Sequence, residues 1–328
     1  MSVVLITGGA GFIGSELARH CLEQGDSVIV VDNLVNGKYA NIAAILGDNC
    51  RFVEADFRDD ERMAPLLREV STVYHLACLG VRHSIHAPVV NHEVNATGTL
   101  HLLVAARMAK VQRFVYVSSS EVYGTARTTP IRIEHPTFPK TVYGAAKLAG
   151  ECYTRAFLDT YGLPTVVVRP FNAFGPRCHH EGDSGEVIPK FMLRCMANKP
   201  MIIFGDGSQT RDFTFVGDTA RGIRLAGVSD HAVGQTINLG QGKEIRIDQL
   251  AQTVAAVVGG GEPQILYDVP RPGDVLRLLA ETSHARELLG FEPSVPLEEG
   301  LHALKRWYEE QLLAPEILLE QERVHNWI

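Results

Sequence analysis

Thr7-Gly8-Gly9-Ala10-Gly11-Phe12-Ile13-Gly14 is the stretch on which the fold turns. It follows a short apolar run, 3–7, and opens a segment, 12–23, whose apolar residues recur at helical spacing. Glycines spaced G-x-x-G-x-x-G at a strand-to-helix turn point to dinucleotide binding. Gly8 and Gly11 would let the backbone approach a pyrophosphate at the helix N-terminus, where free N–H groups and the dipole favour an anion. Phe12 and Ile13 belong to the same candidate contact, and Gly14 is expected to let the helix pack close to the sheet. About twenty residues on, Val30-Val31-Asp32-Asn33 closes the next apolar run; a carboxylate there accepts from the adenosine ribose hydroxyls and repels a 2′-phosphate. No Arg directly follows Asp32, so NAD is expected rather than NADP.

The same alternation continues outward. Short Val-rich runs at 3–7, 27–31, 50–53, 73–75, 114–118 and 165–169 are separated by helix-length stretches such as 12–23, 89–108 and 143–161. Nearly all-apolar strands spaced by helices predict a parallel sheet covered on both faces: an α/β, Rossmann-type doubly wound fold. Beyond about residue 169 the alternation weakens. A Gly-, Pro- and charge-rich loop, 175–185, leads to a predicted helix over 187–198, strands near 201–204 and 212–216, and a helix from Asp218. Another helix is predicted over 247–258, ended by Gly259-Gly260-Gly261, and a last one over 296–313. The expected division is a dinucleotide-binding unit, 1–170, and a smaller substrate-binding α/β unit, 171–328, with some later segments returning to the first.

With 328 residues, 45% hydrophobic and 21% charged, the chain has core enough for about two such units. A net charge of −7 without any Lys/Arg run leaves no footprint for nucleic acid. No apolar stretch approaches the roughly 18 residues of a membrane span. No signal-peptide pattern precedes Val3, and six scattered cysteines without a CxxC pair read as reduced thiols. A cytoplasmic protein without nucleic-acid or membrane partners is expected.

Ser118-Ser119-Ser120-Glu121-Val122-Tyr123-Gly124 follows the fifth run and places hydroxyls at the carboxyl end of a parallel strand, where ligands bind in such sheets. Tyr143-Gly144-Ala145-Ala146-Lys147 sets a phenol and an ammonium one helical turn apart on one face. A cation there lowers the phenol pKa from about 10 and makes Tyr143 a candidate general base for a hydroxyl proton. Asp56, in Glu54-Ala55-Asp56-Phe57, suits either an adenine amino group or a helix cap.

Together these segments resemble the extended short-chain dehydrogenase/reductases, in particular the NAD-dependent nucleotide-sugar epimerases and dehydratases, to about residue 310. The glycine stretch is similar to the family's cofactor loop, Ser119 to its catalytic Ser/Thr, and Tyr143 with Lys147 to its Tyr-x-x-x-Lys pair. Asn95, in Glu93-Val94-Asn95-Ala96-Thr97-Gly98, resembles a helix Asn that supports the site, and the implied cofactor side also takes in Asn33, Phe57, Leu76 and Ala77. Arg169-Pro170-Phe171-Asn172-Ala173-Phe174-Gly175-Pro176-Arg177 resembles the segment joining the nicotinamide and sugar-diphosphate sites. Gly205-Asp206-Gly207-Ser208-Gln209-Thr210-Arg211-Asp212-Phe213 and Arg271-Pro272-Gly273-Asp274 resemble the nucleotide-diphosphate clamp. The resemblance implies a nucleotide-diphospho-sugar with Arg211 and Arg271 on the diphosphate and Asp274 towards the ribose. Ser119, Ser120, Glu121, Asn172, Val187 and Phe204 complete the implied substrate side. Guanidinium forks suit phosphate oxygens; the bland alternative for each arginine is a solvated surface ion pair. A homodimer through a four-helix contact of 89–108 and 143–161 is implied as well.

The implied chemistry is oxidation of a sugar hydroxyl, usually at C4: Tyr143 takes the proton, Ser119 orients the oxygen and Lys147 holds the cofactor ribose. An epimerase then re-reduces the 4-keto sugar on its other face, whereas a 4,6-dehydratase or a decarboxylase eliminates. Ser119-Ser120-Glu121 lacks the Asp of the Thr-Asp-Glu in dTDP-glucose dehydratases, since Ser120 is a poor acid. It nearly matches the Thr-Ser-Glu of GDP-mannose dehydratases and UDP-glucuronate decarboxylases, so Glu121 is either a base or a structural carboxylate. Gly185-Glu186-Val187-Ile188-Pro189-Lys190-Phe191 looks more like the 4-epimerases, and 4-epimerase is the preferred reading. A non-catalytic dinucleotide sensor would have no use for the complete Ser–Tyr–Lys set, and a simple dehydrogenase would release NADH. His179-His180-Glu181 with Asp183 reads as a solvated loop, because contiguous side chains diverge, and no metal is expected. His83 and His86 follow Gly80-Val81-Arg82 in an expected sugar-facing loop. Residues 314–328 reach past the resemblance and suit packing on the domain or on a second subunit.

Overall fold

The computed structural model describes residues 2–259, 261–271 and 273–327; Gly260, Pro272 and Ile328 of the segments above lie outside the described residues. Strands β1 (Val3–Thr7), β2 (Ser27–Asp32), β3 (Cys50–Glu54), β4 (Thr72–His75), β5 (Arg113–Val117) and β6 (Thr165–Pro170) join a seventh, Thr236–Leu239, in one parallel sheet. Its order is Thr236–Leu239, β6, β5, β4, β1, β2, β3.

Alternate residues of each strand enter opposite cores. Val4, Ile6, Val28 and Val30 pack with Leu17, Ala18 and Cys21 of helix α1 (Phe12–Glu23) and with Ala220 and Ile223 of the helix Val216–Val228. Leu5, Ile29 and Val31 pack on the other face with Leu66, Leu67, Leu102, Leu103 and Phe157. Two-sided burial is the reason the strands read as unbroken apolar runs.

The seventh strand was not anticipated, because Asn238 interrupts its apolar pattern. That buried amide is satisfied from afar: its Oδ1 accepts from the Tyr123 hydroxyl (2.8 Å) and its Nδ2 donates to Ile131 O (3.0 Å). The expected single strand over 212–216 is two: Thr210–Asp212 pairs antiparallel with Glu244–Arg246, and Thr214–Phe215 pairs parallel with Ala173–Phe174. Between them the fully buried Asp212 carboxylate accepts from the N–H groups of Gln241, Gly242 and Ala280, which ties three segments together. The expected helix 89–108 is Pro88–His92 and Gly98–Met108 with a π turn, Glu93–Thr97, between them. The helix expected over 296–313 is Leu297–Glu309, and Pro315–Leu319 forms a separate helix.

A second core gathers Phe174, Ile188, Phe191, Leu250, Val254, Leu301, Leu304, Leu318 and Leu319. The strand order reverses between β1 and β4, and a crevice opens at their carboxyl ends, where open α/β sheets bind ligands. Among the described residues, no helix is long and apolar enough to cross a membrane.

Candidate active site

One cavity of about 680 Å³ runs from the carboxyl ends of β1, β2, β4 and β5 into the second core, and every residue expected from the sequence to bind cofactor or substrate or to act in catalysis lines it except Asn95 and, from the sugar-facing loop, His86. Asn95 sits in the π turn behind the wall. Its Oδ1 accepts from Leu79 N–H (2.8 Å) and its Nδ2 donates to Leu79 O (2.8 Å), so it holds the loop after β4 rather than facing the cavity.

The glycines work by close approach. Gly8 has φ +69°, and a Cβ there would lie 2.7 Å from Ala77 N, so the loop after β1 packs directly on the loop after β4. At Gly14 a Cβ would lie 2.1 Å from Gly8 O. The helix is therefore pressed on its own leading loop, not on the sheet as expected. No side chain caps α1 and no acid stands in its first turn, which suits an anion at its N-terminus. Asp32 closes β2 with Oδ2 accepting from Ala10 N–H (3.0 Å) and Oδ1 from Leu34 N–H (2.8 Å); burial raises its pKa despite these donors. Asp56 is held below the usual carboxylate range by the Arg58 guanidinium, which donates to it at 2.9 and 2.7 Å. It caps no helix: Asp59 caps Asp60–Glu69 by accepting from Arg62 N–H.

Farther along the cavity, Ser119 is extended at φ −158° and its Oγ accepts from Glu121 N–H (3.2 Å). Tyr143 and Lys147 rise from the helix Val142–Tyr161, which Thr141 caps through Gly144 N–H (3.1 Å). The Lys147 ammonium is buried, donates to Val117 O (2.9 Å), and stands 6.0 Å from the Tyr143 ring centroid. Burial pushes the Tyr143 phenol well above its ordinary range, Cys78 adds to the rise, and the hydrogen bond with Ser119 opposes it. The expected lowering by Lys147 is outweighed, because burial of the phenol is the largest effect. Cys78 carried no pattern that sequence reading could use.

Beyond the phenol the cavity gathers charge. Arg211 pairs with Asp274 at 2.6 Å. Burial and the neighbouring Arg82 push Arg271 down to about 10, and burial lowers Arg82 as well. The Nε atoms of Arg82 and Arg271 are buried with no hydrogen-bond partner among the described residues. Neither Arg211 nor Arg271 is the solvated surface pair of the bland alternative. Arg82 was passed over in the sequence, although Gly80-Val81-Arg82 had marked its loop. Burial raises Glu121, with Arg211, Arg82 and Arg271 acting against the rise and Asp274 adding to it. Two further wall residues were missed: Glu186, pushed up to about 7 by burial, and Lys190, pushed down to about 8 by burial.

The histidine loop corrects another expectation. It is packed, not solvated: His180 is 4% exposed, and Glu181 pairs with Lys38 (2.7 Å) and His179 (3.0 Å). Among the described residues no cluster could hold a metal ion. His83 lines the cavity, whereas His86 pairs with Asp183 at 2.5 Å. All six cysteines are free thiols.

Residues 5–304 match the family model described as GDP-mannose 4,6 dehydratase. A UDP-glucose 4-epimerase of Mycolicibacterium smegmatis is 37% identical over 90% of this chain and 95% of its own length. The structure of a UDP-glucose 4-epimerase of Thermotoga maritima with UDP-glucose is 32% identical, covers 95% of this chain and 100% of its own, and superposes with a TM-score of 0.89. A dTDP-glucose 4,6-dehydratase of Streptomyces venezuelae, with NAD bound, is 33% identical over 94% and 97% of the two chains with the same TM-score, 0.89.

Proposed function

Because the chain belongs to the GDP-mannose 4,6-dehydratase family of NAD-dependent extended short-chain dehydrogenase/reductases, a family of enzymes, we propose that it is a nucleotide-diphospho-sugar 4-epimerase. The observation that carries this reading is the content of a single cavity: the Ser119, Tyr143 and Lys147 set in one part, and Arg82, Arg211 and Arg271 in another. Arg211 is paired with Asp274, but the Nε atoms of Arg82 and Arg271 are buried with no hydrogen-bond partner among the described residues; such unspent donors call for an anion, and a diphosphate has the oxygens to take their forks.

The uncapped N-terminus of α1, the glycines before it and the Asp32 carboxylate suit NAD. NAD, when bound, supplies the two-electron oxidant for a sugar carbon and a positive ring charge. Gly8, Gly11, Phe12, Ile13 and Gly14 would hold its pyrophosphate, Asp32 its adenosine ribose, and Asn33, Asp56, Phe57, Leu76 and Ala77 its adenine and flanks. Lys147 would hold the other ribose. The positive ring charge that NAD would supply, added to the Lys147 ammonium, would offset the burial that raises the Tyr143 phenol and favour its phenolate, which would take the C4 hydroxyl proton at the phenolic oxygen while Ser119 orients the substrate oxygen. Arg211 and Arg271 grip the diphosphate, while Ser120, Glu121, Asn172, Val187, Phe204 and Asp274 shape the rest of the substrate side.

A second reading keeps Glu121 as a reacting group, in a 4,6-dehydratase or a uronate decarboxylase. Its support is the burial that raises the carboxyl, as acid–base work requires. Product NMR from UDP-, GDP-, dTDP- and ADP-sugars in deuterated water separates the two readings. The expected product is inverted at C4, without deuterium and without net NADH absorbance, from the wild type and, with modest loss, from Glu121→Gln. Tyr143→Phe should lose at least about 10²-fold in turnover. Deuterium at C5 together with a Glu121→Gln loss of roughly 10²–10⁴-fold would favour elimination instead.

The proposed assembly is a homodimer. Exposed Val89, Val90, Val104 and Met108, with Tyr161 of the adjoining helix, support it. Free thiols throughout support a reducing, cytoplasmic setting.

A further inference from the structure

A segment beyond the reach of the family model, which stops at residue 304, walls part of the cavity. After the helix Pro315–Leu319 the chain places Glu322 and Val324 on the cavity lining. It is fastened at four of the five residues from 322 to 326. Glu322 pairs with Arg194 (2.8 Å), Arg323 O accepts from Lys190 Nζ (2.8 Å), and Arg323 pairs with Asp183 (2.9 Å). His325 meets Asp268 (2.9 Å), and the fully buried Asn326 donates to Gly185 O (3.1 Å). These contacts bring Trp327 edge-on to Phe204, with ring centroids 4.7 Å apart at 87°. The Arg271 guanidinium lies 5.2 Å from each ring.

We propose that Trp327, with Phe204, positions the Arg271 guanidinium for a nucleoside diphosphate, so that residues 320–327 belong to the nucleotide-binding wall. This rests on reading the cavity as a nucleotide-sugar site. Arg271 is repelled by Arg82 and Arg211, and the nearby Asp274 is already paired with Arg211. Among the described residues no carboxylate forms an ion pair with Arg271. A carboxylate would hold the guanidinium by consuming its donors. Two aromatic rings hold it through the charge instead and leave its N–H fork for phosphate oxygens. An arginine fixed in advance also loses less rotamer freedom when the anion arrives. Trp327 is thus a positioning residue, acting through Arg271.

The test is calorimetric titration of the full chain with UDP, GDP and dTDP, beside KM and kcat on the nucleotide sugar that is turned over. Trp327→Leu, which keeps apolar bulk but no ring, should weaken the diphosphate that binds by about tenfold and raise KM in step. It should leave kcat and NAD content unchanged, with the melting temperature lowered by a few degrees for the packing that a buried ring loses, and Trp327→Phe should restore most of the affinity. Leu and Phe variants that bind alike, or a Leu variant whose lost affinity only tracks lost NAD and lost stability, would overturn the inference and leave the functional reading standing. A wild type that binds none of the three diphosphates overturns both.

Discussion

The Glu186 carboxyl stands in the cavity wall, and burial raises it to about 7, with His179 and Arg82 opposing the rise and Glu181 adding to it. In the unfolded chain the same group ionises near 4.5. Between those values the folded state keeps a proton that the unfolded state has lost, so this residue's contribution to stability falls as pH rises from 4.5 to about 7 and stays low above. Glu186→Gln removes that penalty. The substrate-free variant should melt a few degrees above wild type at pH near 8, with the gap closing towards pH 4.5, by calorimetry across that range. A constant gap would mean that Glu186 does not titrate in this window. Glu186 and Arg82 both lay in stretches that the sequence marked, but neither was singled out; what sets them apart is depth and company, which only packing creates. Tyr143 and Lys147 were legible from their spacing, but the balance between burial and a cation at the phenol was not.

At the scale of elements, the turn from β1 into α1 is the tightest joint of the site. Gly14 has no room for a Cβ, which would meet Gly8 O at 2.1 Å. Gly14→Ala must part the helix from its leading loop, at a cost of about 1–3 kcal/mol for overpacking. Denaturant unfolding should show that loss, and the purified variant should carry less NAD because the anion cradle opens. Gly25→Ala serves as a control of another kind: a Cβ there meets nothing, and only φ +83° opposes it. A Gly14→Ala protein with wild-type stability and NAD content would refute the account. The apolar runs and the helices 12–23 and 247–258 were legible because their periods match their surroundings. The strand Thr236–Leu239 and the π turn were not, since a distant partner satisfies Asn238 and a widened turn has no sequence period.

For the whole molecule, the exposed apolar side chains Val89, Val90, Val104, Met108 and Tyr161 lie along the helices Pro88–His92 and Gly98–Met108 and the helix Val142–Tyr161 on which both pack, and Arg107 lies over the Tyr161 ring at 4.1 Å. The proposed homodimer would cover them, and light scattering at micromolar concentration should return twice the mass of 36.0 kDa. A monomeric mass would refute it, and a dimer that survives Met108→Glu together with Val104→Glu would move the interface elsewhere. What the sequence by itself determined is whatever depends on neighbours along the chain: the glycine turn, the carboxylate that closes β2, the hydroxyls after β5, the Tyr–Lys pair one helical turn apart, and the alternation that makes a two-sided parallel sheet. What only the tertiary structure decided is whatever depends on neighbours in space. Thr236–Leu239 completes the sheet, Asn95 retreats behind the wall, Arg82 joins Arg211 and Arg271, and Trp327 reaches Phe204 across 123 residues of chain. Local spacing encodes periods and turns, but burial and the meeting of charges come into being only when distant segments share one cavity.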